Sequence, residues 1–131
     1  IIEKPELLPY LSGLENLKLL AEIRNIISYD DIKHYMDKFG LNFNSKQIVK
    51  KYSLGMKQKL GIIQAIMEDP SLLLLDEPFN ALDAESVDIL RSILLQYKEQ
   101  GKLIILTSHH QEDIMSVCNQ VIHLQDGCIL N

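Results

Sequence analysis

The chain has 131 residues, 47% of them hydrophobic, and a formal net charge of −5 at pH 7. Its length allows one domain-sized core, and its acidic balance argues against a nucleic-acid-binding surface spread over the whole molecule. No apolar run approaches the ~20 residues that cross a bilayer. The two cysteines, Cys118 and Cys128, have neither metal-ligand spacing nor the density of a disulfide scaffold. This use of cysteine favours a reducing, cytoplasmic setting.

The first half of the chain predicts helices. Ser12 and Glu15 form a capping box, and the helix behind it carries one apolar face, made of Leu17, Leu20, Ile23 and Ile27. Ser28 and Asp31 repeat the capping pattern. The residues that follow fall at helical spacing and end at a glycine suited to a left-handed cap, namely Ile32, Tyr35, Met36, Phe39 and Gly40.

A further helix is predicted from Ser53, which suits an N-cap. Its apolar stripe stops before Pro70 and consists of Met56, Leu60, Ile63 and Met67. The N-terminus of a helix attracts anions because its amides and its dipole point outward there, and Gly55 would let the backbone approach a phosphate. Five lysines surround this segment, either as a solvated face or as an electrostatic guide: Lys46, Lys50, Lys51, Lys57 and Lys59.

The most informative stretch is LLLLDEP, Leu72 to Pro78. Four leucines without polar alternation suit a strand that is covered on both faces, although so short a run does not exclude a buried helix. Asp76 and Glu77 then lie at the carboxyl end of the strand, where open α/β sheets place their chemistry. One acid there can hold magnesium and the other can orient water. The alternative is an acidic turn without chemistry.

The second half of the chain alternates strand and helix. Asp83 can cap a helix that ends at Gly101, Leu103 to Leu106 forms the next strand, and a short helix precedes a third strand near residues 121–124. Asp126 and Gly127 predict a hairpin turn. This order implies a parallel sheet with right-handed crossovers, which places His109 at the same sheet edge as Asp76 and Glu77.

These motifs, in this order, resemble those of the ATP-binding subunits of ABC transporters. YSLGMKQK matches the signature motif, LLLLDEP matches Walker B, Asn80-Ala81-Leu82-Asp83 matches the D-loop, and Thr107-Ser108-His109 matches the switch histidine. The signature is usually written LSGGQ, and this chain keeps its serine and one glycine as Ser53 and Gly55. The form YSLGMKQ, with LSGLENL near the start, is similar to the branch that exports bacitracin-type peptide antibiotics and drugs.

The resemblance also indicates what the chain does not contain. No GxxxxGK[ST] phosphate loop occurs in these 131 residues, and Glu3 matches the Q-loop position, where this branch often replaces glutamine. We therefore expect the α/β C-terminal part of a P-loop NTPase domain of the ABC type. Residues 1–55 would form the Q-loop edge and helical subdomain, and residues 56–131 the signature helix and a parallel-sheet βαβ segment. The chain alone is expected to be inactive.

The resemblance implies a role for each candidate residue. Glu77 and His109 are the expected catalytic residues, Asp76 the expected magnesium ligand, and ATP the substrate. In the family two ATP-binding domains face head to tail, so that the signature serves the nucleotide of the neighbouring subunit. The expected nucleotide-binding positions are Glu3, Ser53, Gly55, Met56 and Asp83. The other histidines, His34, His110 and His123, are expected to be structural.

The implied partners are a second ATP-binding domain and a transmembrane permease, which the helical subdomain would meet around Glu3, Pro9 and Tyr10. No nucleic acid is expected, and the predicted location is the inner face of the cell membrane through the permease. Two alternatives remain at this point. One is an ABC-type ATPase that acts on DNA or ribosomes, although such proteins usually carry long insertions. The other is a non-enzymatic interaction module.

Overall fold

The computed structural model describes residues 5–130, so Glu3 lies outside the described residues. The elements in chain order are α1 (Gly13–Arg24), α2 (Tyr29–Lys38), a 3-10 turn (Val49–Lys51), α3 (Leu54–Ile66), β1 (Leu72–Asp76), α4 (Ala84–Glu99), β2 (Leu103–Thr107), α5 (Gln111–Val117), β3 (His123–Gln125) and β4 (Cys128–Leu130). Helices α1, α2 and α3 contact one another, and α4 lies against β2 and α5. A helical part therefore precedes an α/β part.

The predicted caps are confirmed. Ser12 and Ser28 each accept a hydrogen bond from the amide three residues later, and each capping box is closed by the acid at that position. Ser53 and Asp83 cap α3 and α4 in the same way. Gly40 has φ +69°, the left-handed conformation expected after α2. Each cap arises within four or five residues, which is why local sequence was enough to predict it.

The apolar face predicted for α1 is partly wrong. Leu17 is fully buried, but Ile23 is 77% exposed, and Ala21 takes the next inward position. Ala21 lies one helical turn after Leu17, on the same face. The helix ends at Arg24, and Asn25 adopts a left-handed cap conformation with φ +53°. Ile23 therefore lies on the outward face of the last turn, opposite the buried Ala21.

The α/β part is a strand–helix–strand unit. Strands β1 and β2 are parallel neighbours, in a register that pairs Leu72 with Leu103 and Asp76 with Thr107. Helix α4 connects them, and its buried face includes Leu90, Leu94 and Tyr97. Because the strands are parallel, their carboxyl ends meet at one sheet edge. Asp76 lies at this edge, and the residues that follow Thr107 leave β2 at the same edge.

The expectation that both faces of this sheet are covered is wrong for the described residues. Leu73 and Leu75 are each 3% exposed, but the opposite face is about half exposed at Leu72, Leu74, Leu103 and Ile105. Alternate residues of a strand point to opposite faces. Although all four residues are leucine, only Leu73 and Leu75 face the core.

The third predicted strand does not join the parallel sheet. Strand β3 pairs antiparallel with β4, and the two form a separate two-stranded sheet. Asp126 and Gly127 have φ +49° and +77°, the backbone of a tight two-residue hairpin turn. The predicted turn is confirmed, and it pairs β3 with its sequence neighbour.

The core is one hydrophobic cluster shared by both parts. Helix α3 supplies four of its apolar residues, which are Leu60, Ile62, Ile63 and Ile66. The fully buried side chains of the whole core include Leu17, Ile32, Met36, Phe39, Leu60, Ile62, Ile63, Ile66, Leu90 and Leu94. The division at residue 55 falls inside α3 and stays a prediction.

Candidate functional site

Asp76 and Glu77 lie at the carboxyl edge of the parallel sheet, as the sequence predicted. Asp76 is the last residue of β1, and Glu77 follows it with φ +45°, a left-handed conformation that is uncommon for a residue with a side chain. Both acids are partly buried. The edge therefore holds two carboxyl groups on adjacent residues whose backbone turns sharply between them.

One hydroxyl on the neighbouring strand bonds to both acidic residues. Thr107 Oγ1 donates to Asp76 Oδ1 at 2.5 Å and accepts from the Glu77 amide at 3.0 Å. The parallel register places Thr107 directly beside Asp76. The sequence reasoning named Thr107 only as part of a motif, because this contact depends on the alignment of two strands.

His109 lies beside Glu77, as the topology predicted. Its Nδ1 is 2.9 Å from Glu77 Oε1, and its side chain is 63% exposed while that of Glu77 is 22% exposed. The His109 and His110 rings are 4.1 Å apart between centroids. An acid and an exposed imidazole in direct contact can together hold a proton and position a hydrogen-bonded water molecule or phosphate oxygen.

The turn after Glu77, residues 77–83, is held by α3. Within the turn the Asn80 amide donates to the Glu77 carbonyl, and Ala81 has φ +62°. The buried Gln58 side chain donates to the Pro78 carbonyl at 3.3 Å. A Cβ atom built on Gly55 would lie 2.7 Å from the Ala81 carbonyl oxygen. Gly55 therefore has a packing reason to be glycine, in addition to any approach of a phosphate.

The N-terminus of α3 presents Ser53 at an exposed position. The Ser53 hydroxyl accepts from the Met56 amide at 3.1 Å, so this amide is already engaged. A hydroxyl that accepts one bond still has its own proton to donate. Within residues 5–130, neither Ser53 nor Met56 forms a hydrogen bond or ion pair with Asp76, Glu77 or His109. The predicted signature residues and the predicted catalytic residues are therefore not joined by a direct hydrogen bond in the described part of the chain.

Asp83 combines a cap and an ion pair. One oxygen accepts from the Ser86 amide at 2.9 Å, and the other lies 2.6 Å from Lys59 Nζ. The Lys59 ammonium group, with the Ser86 amide, lowers the pKa of Asp83 well below its usual range. Lys59 was predicted only as one of five surrounding lysines. The ion pair with Asp83 shows that Lys59 links α3 to the end of the 77–83 turn.

Magnesium would have few protein ligands here. In the described part of the chain no three or more His, Cys, Asp or Glu side chains gather where they could enclose a metal ion. Asp76 nevertheless retains a second carboxylate oxygen that Thr107 does not use. This fits magnesium, which is usually held by one or two carboxylates together with water and substrate phosphates.

Comparison with solved structures gives the class of protein to which this fold belongs. The fold matches a chain described as the ATP-binding subunit of an ABC transporter, with a TM-score of 0.87 and 28% identity over 98% of this chain and 55% of that chain. It also matches a dimeric ATP-binding cassette in a post-hydrolysis state bound to ADP and Pi, with a TM-score of 0.81, 22% identity, and coverage of 100% and 60%. The second match supports the fold alone.

The sequence comparisons then identify the family. The model for the ABC transporter family matches residues 1–80, and the chain belongs to that family. It is 50% identical to the ABC transporter ATP-binding protein YybJ of Bacillus subtilis (strain 168), over 97% of this chain and 58% of YybJ. It is 38% identical to the bacitracin transport ATP-binding protein BcrA of Enterococcus faecalis, over 97% of this chain and 42% of BcrA. The chain thus spans about half the length of these relatives.

No helix within residues 5–130 has the length and apolar character needed to span a membrane.

Proposed function

We propose that this chain works within an ATP-binding and ATP-hydrolysing subunit of an ABC transporter. The single observation that carries this proposal is the grouping of Asp76, Glu77 and His109 at the carboxyl edge of two parallel strands. The complete subunit would also include a phosphate-binding loop, since no GxxxxGK[ST] occurs in the 131 residues. Family membership supports ATP as the substrate.

In this proposal Glu77 orients the attacking water. Its carboxylate is only partly buried, so one oxygen can reach water while the other contacts His109. The exposed His109 ring has a second nitrogen, Nε2, that is free of the Glu77 contact. When the ring carries both protons, Nδ1 donates to Glu77 and Nε2 can donate to a γ-phosphate oxygen. Phosphoryl transfer depends mainly on positioning and charge. The acid and the imidazole would supply the positioning.

Asp76 would hold magnesium through its carboxylate. When bound, the ion neutralises negative charge on the phosphates during transfer. Asp76 is anchored by Thr107, so its free oxygen keeps a defined direction. The remaining ligands would come from phosphates and water, since residues 5–130 do not enclose a metal by themselves.

The N-terminus of α3 would serve the nucleotide of a neighbouring subunit. Ser53 is exposed at the start of α3, and its hydroxyl accepts from the Met56 amide and is not bonded to the acid pair, so its hydroxyl proton is available to a nucleotide of another subunit. The Ser53 hydroxyl and the first amides of α3 can donate to phosphate oxygens, and Gly55 keeps the approach open. We propose that Met56 acts by holding Ser53 in place. Asp83 would face the partner in a head-to-tail dimer.

Transport would require a permease. The side chains of Leu8 and Tyr10, 54% and 75% exposed, would contact its cytoplasmic loops, and this contact would hold the subunit on the inner face of the membrane. BcrA is named for bacitracin transport, and this supports export of peptide antibiotics or drugs. The permease would decide which compound is moved.

The test is ATP turnover by the complete subunit. Glu77→Gln should leave ATP binding within about threefold while lowering turnover by at least a hundredfold, because it removes the carboxylate that orients water but not the phosphate contacts. Glu85→Gln, in the first turn of α4, is the matched control and should behave as wild type. Wild-type turnover by Glu77→Gln, or no magnesium-dependent turnover by the wild type, would overturn the proposal.

A further inference from the structure

We propose that Thr107 is a positioning residue that aligns both acids of the site through a single hydroxyl. This inference rests on the proposed function and names a residue to which the family motifs assign no role. Its basis is the pair of hydrogen bonds that Thr107 Oγ1 makes with Asp76 and with the Glu77 amide.

The chemistry of the hydroxyl suits this position. A threonine hydroxyl can donate one hydrogen bond and accept others. Here the donated bond goes to the Asp76 carboxylate at 2.5 Å, a length typical of a strong O–H···O⁻ bond. The accepted bond comes from the Glu77 amide at 3.0 Å. A valine has the same shape but can make neither bond.

The bond to the Glu77 amide matters because of the backbone there. Glu77 has φ +45°, a conformation that side-chain-bearing residues adopt only when their surroundings hold them in it. The amide in this conformation donates across to β2. The side chain is then directed to His109 Nδ1 at 2.9 Å. Thr107 thus fixes Asp76 directly and Glu77 through its backbone.

Strand register makes this arrangement rigid. Asp76 and Thr107 are paired residues in the parallel ladder, at the last pair of both strands. The ladder therefore holds the Thr107 backbone beside Asp76, and the hydroxyl reaches both acidic residues from there by its side-chain rotamer alone. Partners of this kind, which orient a metal-binding carboxylate, typically affect activity or metal affinity 10- to 100-fold.

The test compares two substitutions of Thr107 in the complete subunit. Thr107→Val keeps the β-branched shape and removes the hydroxyl, whereas Thr107→Ser keeps the hydroxyl and removes the methyl group. We expect Thr107→Val to lower kcat about 10- to 100-fold, to leave KM for ATP within about threefold, and to raise the magnesium concentration needed for half-maximal turnover. Thr107→Ser should restore most of kcat.

A purely structural role for Thr107 predicts the reverse, because valine favours strands more than serine does. Wild-type kcat in Thr107→Val, or a similar loss in Thr107→Ser, would overturn the inference. Melting curves of both variants accompany the assay. If Thr107→Val fails to fold, the serine variant decides, since it must keep near-wild-type kcat and magnesium dependence.

Measuring wild type and Glu77→Gln in the same series separates the two proposals. An inactive wild type, or an active Glu77→Gln variant, overturns the proposed function and this inference with it. A wild type and a Glu77→Gln variant that behave as proposed, beside an unaffected Thr107→Val, overturn only the role of Thr107.

Discussion

Gly55→Ala should destabilise the subunit through the 77–83 turn. The new Cβ would lie 2.7 Å from the Ala81 carbonyl oxygen, where real contacts start between 3.0 and 3.4 Å, so the backbone must separate by about 0.3–0.7 Å. Such overpacking costs about 1–3 kcal/mol. Alanine regains up to ~1 kcal/mol through its helix propensity. The net loss should be about 1 kcal/mol, or ~2–4 °C in Tm for a subunit of 150–250 residues.

Thermal melts of the complete subunit measure this loss directly. Leu54→Ala is the control, because Leu54 is the neighbouring residue and its side chain is 69% exposed, which predicts a change within about 0.5 kcal/mol. ATP turnover should also fall in Gly55→Ala, since the displaced Ala81 belongs to the turn that begins at Glu77. A Gly55→Ala protein that melts at or above the wild-type temperature with full turnover would refute the packing argument.

Two further predictions concern stability. Asp83→Asn keeps a good cap but loses the ion pair with Lys59. Because folding lowers the pKa of Asp83, the stabilisation from its charge is present above the ordinary pKa of 3.8 and is lost as pH falls below that value. The Tm difference between wild type and variant, measured from pH 7 to pH 3, should therefore shrink at the acid end, and a constant difference would contradict this. Tyr97→Phe removes the hydroxyl that donates to the buried Ile66 carbonyl at 3.0 Å. Because the Asp69 amide also donates to that carbonyl, the loss should be about 0.5–1.5 kcal/mol in urea unfolding, and an unchanged midpoint would contradict it.

The features that could be predicted from sequence are those fixed within a few residues. Ser12, Ser28, Ser53 and Asp83 all cap helices as expected, because a cap involves a side chain and an amide three positions later. The placement of His109 beside Glu77 also followed from sequence order. It needed only the rule that parallel strands end at one edge.

The features that could not be predicted depend on distant partners. The alternating burial of Leu72 to Leu75 reflects which face of the strand lies against the core, and four leucines carry no sign of it. Thr107 bonds to residues about thirty positions away in sequence, through a strand register that composition does not encode. Gly55 looked like a phosphate contact, and only the position of Ala81 revealed its packing role.

The packing of Gly55 also changes how the proposed dimer should be tested, since any side chain there disturbs the subunit's own turn. Ser53 is the better position. Aspartate and asparagine both cap helices about as well as serine, so Ser53→Asp adds a negative charge where phosphate would approach while keeping α3 capped. Ser53→Asn is its neutral, matched control.

The most direct measurement is ATP turnover by two mixed dimers of the complete subunit. In the first, one subunit carries Ser53→Asp and its partner carries Glu77→Gln; in the second, one subunit carries both changes and its partner is wild type. If Ser53 serves the neighbouring subunit, both defects of the first dimer fall in one nucleotide site and the other site stays intact, whereas the second dimer has a defect in each site. We therefore predict clearly higher turnover in the first dimer. Higher turnover in the second would show that Ser53 and Glu77 act on the same subunit's nucleotide and would contradict the head-to-tail site.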